Sequence, residues 1–142
     1  MILMDVNVLV YAFRKDAVDH ARYHGWLEGV VNAPDAFGIP DFVMSGFLRV
    51  VTHPKVFKHP SSWAEASVFA EMVRSQPNCR RVACGERHWE IFVELCRRSG
   101  ARGNLVADAF LAALAIESGC ELITTDRDFA KFPDLKWRHP LD

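Results

Sequence analysis

The stretch from Gly103 to Phe129, GNLVADAFLAALAIESGCELITTDRDF, decides the fold. Asn104 is a preferred helix N-cap and Gly119 a preferred residue for ending a helix, so the spacing predicts a helix between them. Apolar residues occupy every face of that segment, which marks a buried helix. Its only charges are Asp108 and Glu117. Glu117 lies near the end and is expected to reach water; Asp108 is one turn in and is not. An ionised carboxylate in apolar surroundings is costly unless a cation pairs with it. From Asp108 to Ser118 the helix rises about 15 Å, and the strand ELITT returns about 16 Å to Asp126. Asp108 and Asp126 therefore belong at one edge of a sheet, as parts of one site.

A third acid comes from the other end of the chain. The apolar run MILM stops at Asp5, and VNVLVYAF then continues as a short helix. Asp5 reads either as a helix cap or as a carboxylate at the carboxyl end of a buried strand, where open α/β sheets bind ligands. Between these ends, strands and helices alternate. Helices are predicted over Asp19–Val31, from Asp41 to His53, from Ser62 to Ser75 with Glu65 at the capping-box position, and over Glu86–Ser99. Strands are predicted over 37–39, 79–84 and, at an edge, 137–141. His20 and His24 stand four apart without a metal-binding pattern and read as a solvated helix face. The alternation predicts an α/β/α sandwich, a mainly parallel sheet with helices on both faces, in one domain over 1–142.

Composition narrows the function classes. Half of the 142 residues are hydrophobic, enough for a core without staples. No apolar run approaches the length of a membrane span, and the N-terminus lacks a signal peptide's basic region. The four cysteines show no C-x-x-C spacing and read as reduced thiols, so a cytoplasmic location is expected. With 17 basic and 18 acidic residues the net charge is −1. That balance does not announce a nucleic-acid binder, although a local basic face is compatible with it. Three converging acids without a basic partner would repel one another and raise their own pKa values. A hard divalent cation, Mg²⁺ or Mn²⁺, relieves that repulsion through oxygen ligands and suits phosphodiester hydrolysis.

The motifs DVNVLVYA (5–12), FLRVVTHP (47–54), GNLVADAFLAALA (103–115), TTDRDF (124–129) and FPDLKWRHPL (132–141) resemble the PIN-domain toxins of VapC type. The resemblance implies a PIN-domain-like fold and a Mg²⁺-dependent endoribonuclease, with Mn²⁺ as a substitute. It implies the toxic half of a type II toxin–antitoxin pair, hydrolysing RNA with a metal-activated water and neutralised by a VapB-type antitoxin. By motif, Asp5, Asp108 and Asp126 fall on the family's catalytic and metal-binding acids, with Asp128 as a further ligand. Asn7, Asn104 and Thr125 (or Thr124) are then supporting hydrogen-bond groups. Arg102, Arg14 and Lys15, with Lys55 and Lys58, are the basic groups placed for RNA. A homodimer is implied, and the apolar helices around Trp63 and Phe69 are the surfaces expected to serve it. The chain departs from the family at Gly46, where a Glu is usual. The alternative is therefore a degenerate PIN domain that binds RNA or antitoxin without cutting. A phosphoacceptor receiver domain also gathers acids at strand ends, but the paired acids after the first strand and the Lys after the last are missing here.

Overall fold

Short aliphatic runs form the strands, and helices carry the chain from each to the next. The computed structural model describes residues 1–142. In chain order the elements are β1 (Ile2–Met4), α1 (Val6–Phe13), α2 (His20–Asn32), β2 (Phe37–Gly38), α3 (Asp41–Val51), α4 (Trp63–Arg74), β3 (Cys79–Arg80), α5 (His88–Ser99), α6 (Asn104–Ser118), β4 (Glu121–Ile123), a 3₁₀ turn (Arg127–Lys131) and β5 (Trp137–Arg138). The five strands pair in parallel throughout, in the order β3-β2-β1-β4-β5. Right-handed crossovers put α1 to α4 on one face of the sheet and α5 and α6 on the other. This is the expected sandwich. No helix is long and apolar enough to cross a membrane.

The edge strands are shorter than the sequence suggests, and proline explains both cases. Pro40 has no N–H to continue β2 and instead precedes α3, so β3 has no partner beyond Gly38↔Arg80 and residues 81–84 run as loop. Pro140 likewise limits β5. At α6, Asn104 is the first helical residue rather than the cap. Gly103 holds the cap position, and no side chain bonds there. Gly119 ends the helix in the left-handed conformation, φ +66°, as its glycine predicts.

All strands are parallel, so their carboxyl ends share one edge, from which α1, α3 and α6 set out. Glycine decides how closely two of these helices approach. A Cβ on Gly46 of α3 would stand 2.9 Å from Val6 Cγ2 at the start of α1, so any larger residue must displace Val6. Farther in, Phe13, Phe47 and Phe69 interlock with ring centroids 4.9–5.4 Å apart. Phe69 is thus core, while Trp63, Val68 and Met72 of the same helix are exposed.

Arg14 is a clamp. Its guanidinium is buried, binds Asp16 through Nε and Nη2 at 2.9 and 2.6 Å, and donates from Nη1 to His59 O and Ser61 Oγ. It also stacks on Phe57, 3.9 Å from the ring centroid. The 53–62 loop is thereby fastened to the end of α1. Arg14→Ala is expected to cost about 2–3 kcal/mol in urea unfolding, because the buried guanidinium's hydrogen bonds to the loop and its packing on Phe57 are lost together. The exposed neighbour Lys15→Ala should change stability by less than about 0.5 kcal/mol.

Candidate active site

Parallel pairing builds the site. Met4 pairs with Ile123, so Asp5 and Thr124 leave the sheet as neighbours, and the Asp5 N–H donates to Ile123 O at 3.0 Å. Asp5 caps α1: Oδ1 accepts the Val6 N–H at 2.7 Å. Oδ2 accepts the Thr124 hydroxyl at 2.7 Å. That hydroxyl, 0% exposed, also accepts the Asp126 N–H at 3.0 Å. Asp126 in turn accepts the Asp128 N–H at 2.8 Å and caps the 3₁₀ turn. Cap and strand-end carboxylate are therefore one role at Asp5, and again at Asp126.

Asp108 reaches the cluster from the second turn of α6. Its pKa is pushed up to about 6, first by burial and then by the negative charges of Asp126, Asp5 and Asp128, with Lys131 acting weakly against them. Asp5 is also raised. Burial is the main cause and Asp126 adds to it, while the hydrogen bonds from Thr124 and Val6 pull the other way. Acids from residues 5, 108 and 126–128 thus sense one another in space. The only cation bonded among them is Lys131, 3.5 Å from the exposed Asp128.

The remaining sequence candidates divide. The bridging hydroxyl is that of Thr124, not Thr125, whose side chain makes no hydrogen bond. The T-T-D spacing contains this signal: the side chain two residues before Asp126 is the one that can reach its N–H. Asn7 is half-buried in α1 and Asn104 is exposed, and neither side chain is hydrogen-bonded to the acids. Arg102 stands exposed just before α6, at the acid edge. Arg14 and Lys15 do not. Eight helical residues carry α1 about 12 Å away from that edge, and Arg14 is consumed by its clamp. The same clamp holds the loop of Lys55 and Lys58 at the far end. Asp41 forms an ion pair with Arg74 at 3.1 Å and so does not replace an acid at Gly46. Glu117 does not turn to water: Oε1 accepts the Gly85 N–H, and Oε2 is buried without a partner.

Fold and geometry define a parallel α/β domain with a cluster of carboxylates at the carboxyl edge of its sheet. The PIN domain family model matches residues 2–135, and the chain belongs to the PIN-domain family. It is 46% identical over 142 residues to ribonuclease VapC43 of Mycobacterium tuberculosis, covering all of this chain and 97% of that one. It is 38% identical to ribonuclease VapC25 of the same organism, covering 99% of each. VapBC2 from Rickettsia felis, solved bound to a DNA fragment of its promoter, superposes with TM-score 0.71 at 21% identity over 98% of each chain. VapC20 of M. tuberculosis, described as a sarcin-ricin loop cleaving toxin, superposes with TM-score 0.66 at 14% identity, covering 92% of this chain and 93% of that one. Both share the fold.

The raised pKa has a stability consequence. The unfolded carboxyl titrates near 3.8 and the folded one near 6. The folded state therefore binds this proton more tightly, and the stability it contributes is lost as pH rises through 6. After discounting for solvent screening this amounts to about 1 kcal/mol. Asp108→Asn should raise the melting temperature of the metal-free protein by about 2–4 °C at pH 7.5, and the gain should fall to about a third of that near pH 4.5, where most unfolded chains still ionise this carboxyl. An equal gain at both pH values would show that the acid cluster does not carry the cost.

Proposed function

We infer that this chain is a divalent-metal-dependent endoribonuclease, the toxic half of a toxin–antitoxin pair, that cuts RNA phosphodiesters at Asp5, Asp108 and Asp126. The carrying observation is the mutual repulsion of these acids, which meet from opposite ends of the chain and have no cationic side chain among them but Lys131. An all-oxygen donor set suits Mg²⁺, with Mn²⁺ able to replace it. No trio of His, Cys, Asp or Glu side chains is arranged to hold an ion directly. Mg²⁺ is commonly held by one or two carboxylates with water completing the shell, a role open to Asp5, Asp108 and Asp126, with Asp128 available at the rim.

When bound, the cation supplies charge for the phosphate oxygens and lowers the pKa of a coordinated water, the nucleophile for hydrolysis. The protein's part is to hold the acids. Thr124 fixes Asp5 Oδ2 and the Asp126 backbone together, which keeps both carboxylates oriented before any ion arrives. The Asp108 carboxylate must be ionised to serve as a ligand, so cation binding should weaken as pH falls below about 6. Arg102, exposed just before α6, is a basic group available at this edge for a phosphate of the RNA. A VapB-type antitoxin is the expected neutralising partner, acting in the cytoplasm.

Purified protein should cut RNA with Mg²⁺ or Mn²⁺ and stop on chelation, and Asp5→Ala and Asp108→Ala should each abolish cutting and growth inhibition on expression. Thr124→Val is expected to lower activity roughly 10- to 100-fold, while Thr124→Ser keeps most of it. RNA that is bound but left intact with either metal would establish the non-cutting alternative, which the glycine at position 46 motivates.

A further inference from the structure

Helices α3 and α4 leave an open groove of about 560 Å³ between them. From α3 it is lined by Ser45, Arg49 and Thr52, which share one side of the helix at its 3.6-residue period. Arg74, at the end of α4, pairs with Asp41, at the start of α3, at 3.1 Å, so the two helices run antiparallel. Trp63, the first residue of α4, therefore stands at the other end of the groove. It is 65% exposed. Arg49 is exposed too, and its side chain makes neither an ion pair nor a hydrogen bond within the chain. The groove thus holds an uncommitted cation, a second cation only partly neutralised, and an open indole.

Position and charge say what it takes. Leu3 pairs with Gly38, which sets Pro40 level with Asp5, so the Asp41–Arg74 end of the groove opens at the acid edge. One helix width, roughly 10 Å, separates that end from the acids, about three nucleotides of a stacked strand at its 3.4 Å rise. No side chain caps α3, so its first N–H groups are open to a phosphate on the way. Two guanidiniums against one carboxylate leave the groove positive, and guanidinium forks match phosphate oxygens. An exposed indole offers the face on which an unstacked base settles, and RNA presents such bases only where it is single-stranded. From Asp41 to Thr52, α3 rises about 16 Å, room for roughly five stacked nucleotides.

We propose that the groove between α3 and α4 seats a single-stranded stretch of RNA next to the cut, with a base stacked on Trp63 and phosphates on Arg49 and Arg74. That the ligand is RNA rests on the nuclease reading; that this groove holds it is tested without cutting. The acids act on the scissile phosphate, while the groove requires the substrate to offer several unpaired nucleotides beside it.

Binding is read by fluorescence anisotropy of a labelled oligoadenylate about 10 nucleotides long, in EDTA so that nothing is cut. Trp63→Ala should weaken binding roughly tenfold without changing its salt dependence. Trp89 of α5 is as open, at 69% exposed, and Trp89→Ala should leave binding within about twofold. Arg49→Ala and Arg74→Ala should each flatten the slope of log affinity against log salt by about 0.7, the value of one single-strand phosphate contact. The same oligonucleotide paired with its complement should bind with no dependence on Trp63. All these side chains are exposed, so unchanged melting of each variant separates lost binding from lost folding. Wild-type protein that does not bind the single strand, or Trp63→Ala that binds it like wild type, would overturn the proposal. Escape of Trp63→Ala from the antitoxin with RNA binding intact would overturn it too and assign the groove to that protein. Cutting that depends on Asp5 while the groove variants bind normally overturns the groove alone; groove variants that lose binding in a protein that never cuts overturn the nuclease reading alone.

Discussion

The parallel register between β1 and β4 is the constraint on which the site depends. Met4 opposite Ile123 places Asp5 beside Thr124 at the end of the sheet, although 119 positions separate them in the chain. A slip of β1 by one residue against β4 would turn the Asp5 side chain away from Thr124 to the opposite face. The buried Thr124 hydroxyl then converts adjacency into a joint, donating to one carboxylate and accepting from the backbone of the next. Its burial matters. A hydroxyl shielded from water and bonded on both sides has little reason to rotate away, so the acids are held by packing as well as by hydrogen bonds.

Holding them has a cost that the fold carries everywhere else. Asp5 and Asp108 are both raised by burial and by neighbouring negative charge, so ionising them costs free energy where the chain is expected to work. The core offsets this through tightly interlocked aromatic and aliphatic groups, and through clamps such as Arg14 that tie long loops to helix ends. Gly46 belongs to the same balance. Its missing side chain lets α3 lie against Val6, immediately after Asp5, and removes the point from which a further acid would project. Close helix contact and an additional carboxylate compete for the same space here, and contact has won.

Polar groups away from the acid edge show how much local chemistry a sequence conceals. Asn78 donates to three carbonyls, of Val30, Ala33 and Asp35, and so pins the end of α2 to the start of β3. His20 and His24, which share a helix face, both turn a ring nitrogen to carbonyls at the end of α1. Their spacing serves helix packing. Glu117 reaches across to the backbone at Gly85 and holds the loop into α5 against α6. Each would pass for surface in the sequence alone, and each is a tie between elements.

By itself the sequence determined the alternation of strands and helices, the buried character of α6 with its glycine stop, and the convergence of Asp5, Asp108 and Asp126. Periodicity, helix rise and strand rise are local quantities, and parallel strands put all their carboxyl ends at one edge. Only the tertiary structure decided which threonine joins the acids, that Arg14 is a buried clamp rather than a phosphate ligand, and that Phe69 is core while Trp89 is surface. Those outcomes depend on contacts between segments far apart in the chain. The same residue types at the same spacing would be read identically whether a neighbouring helix covered them or not.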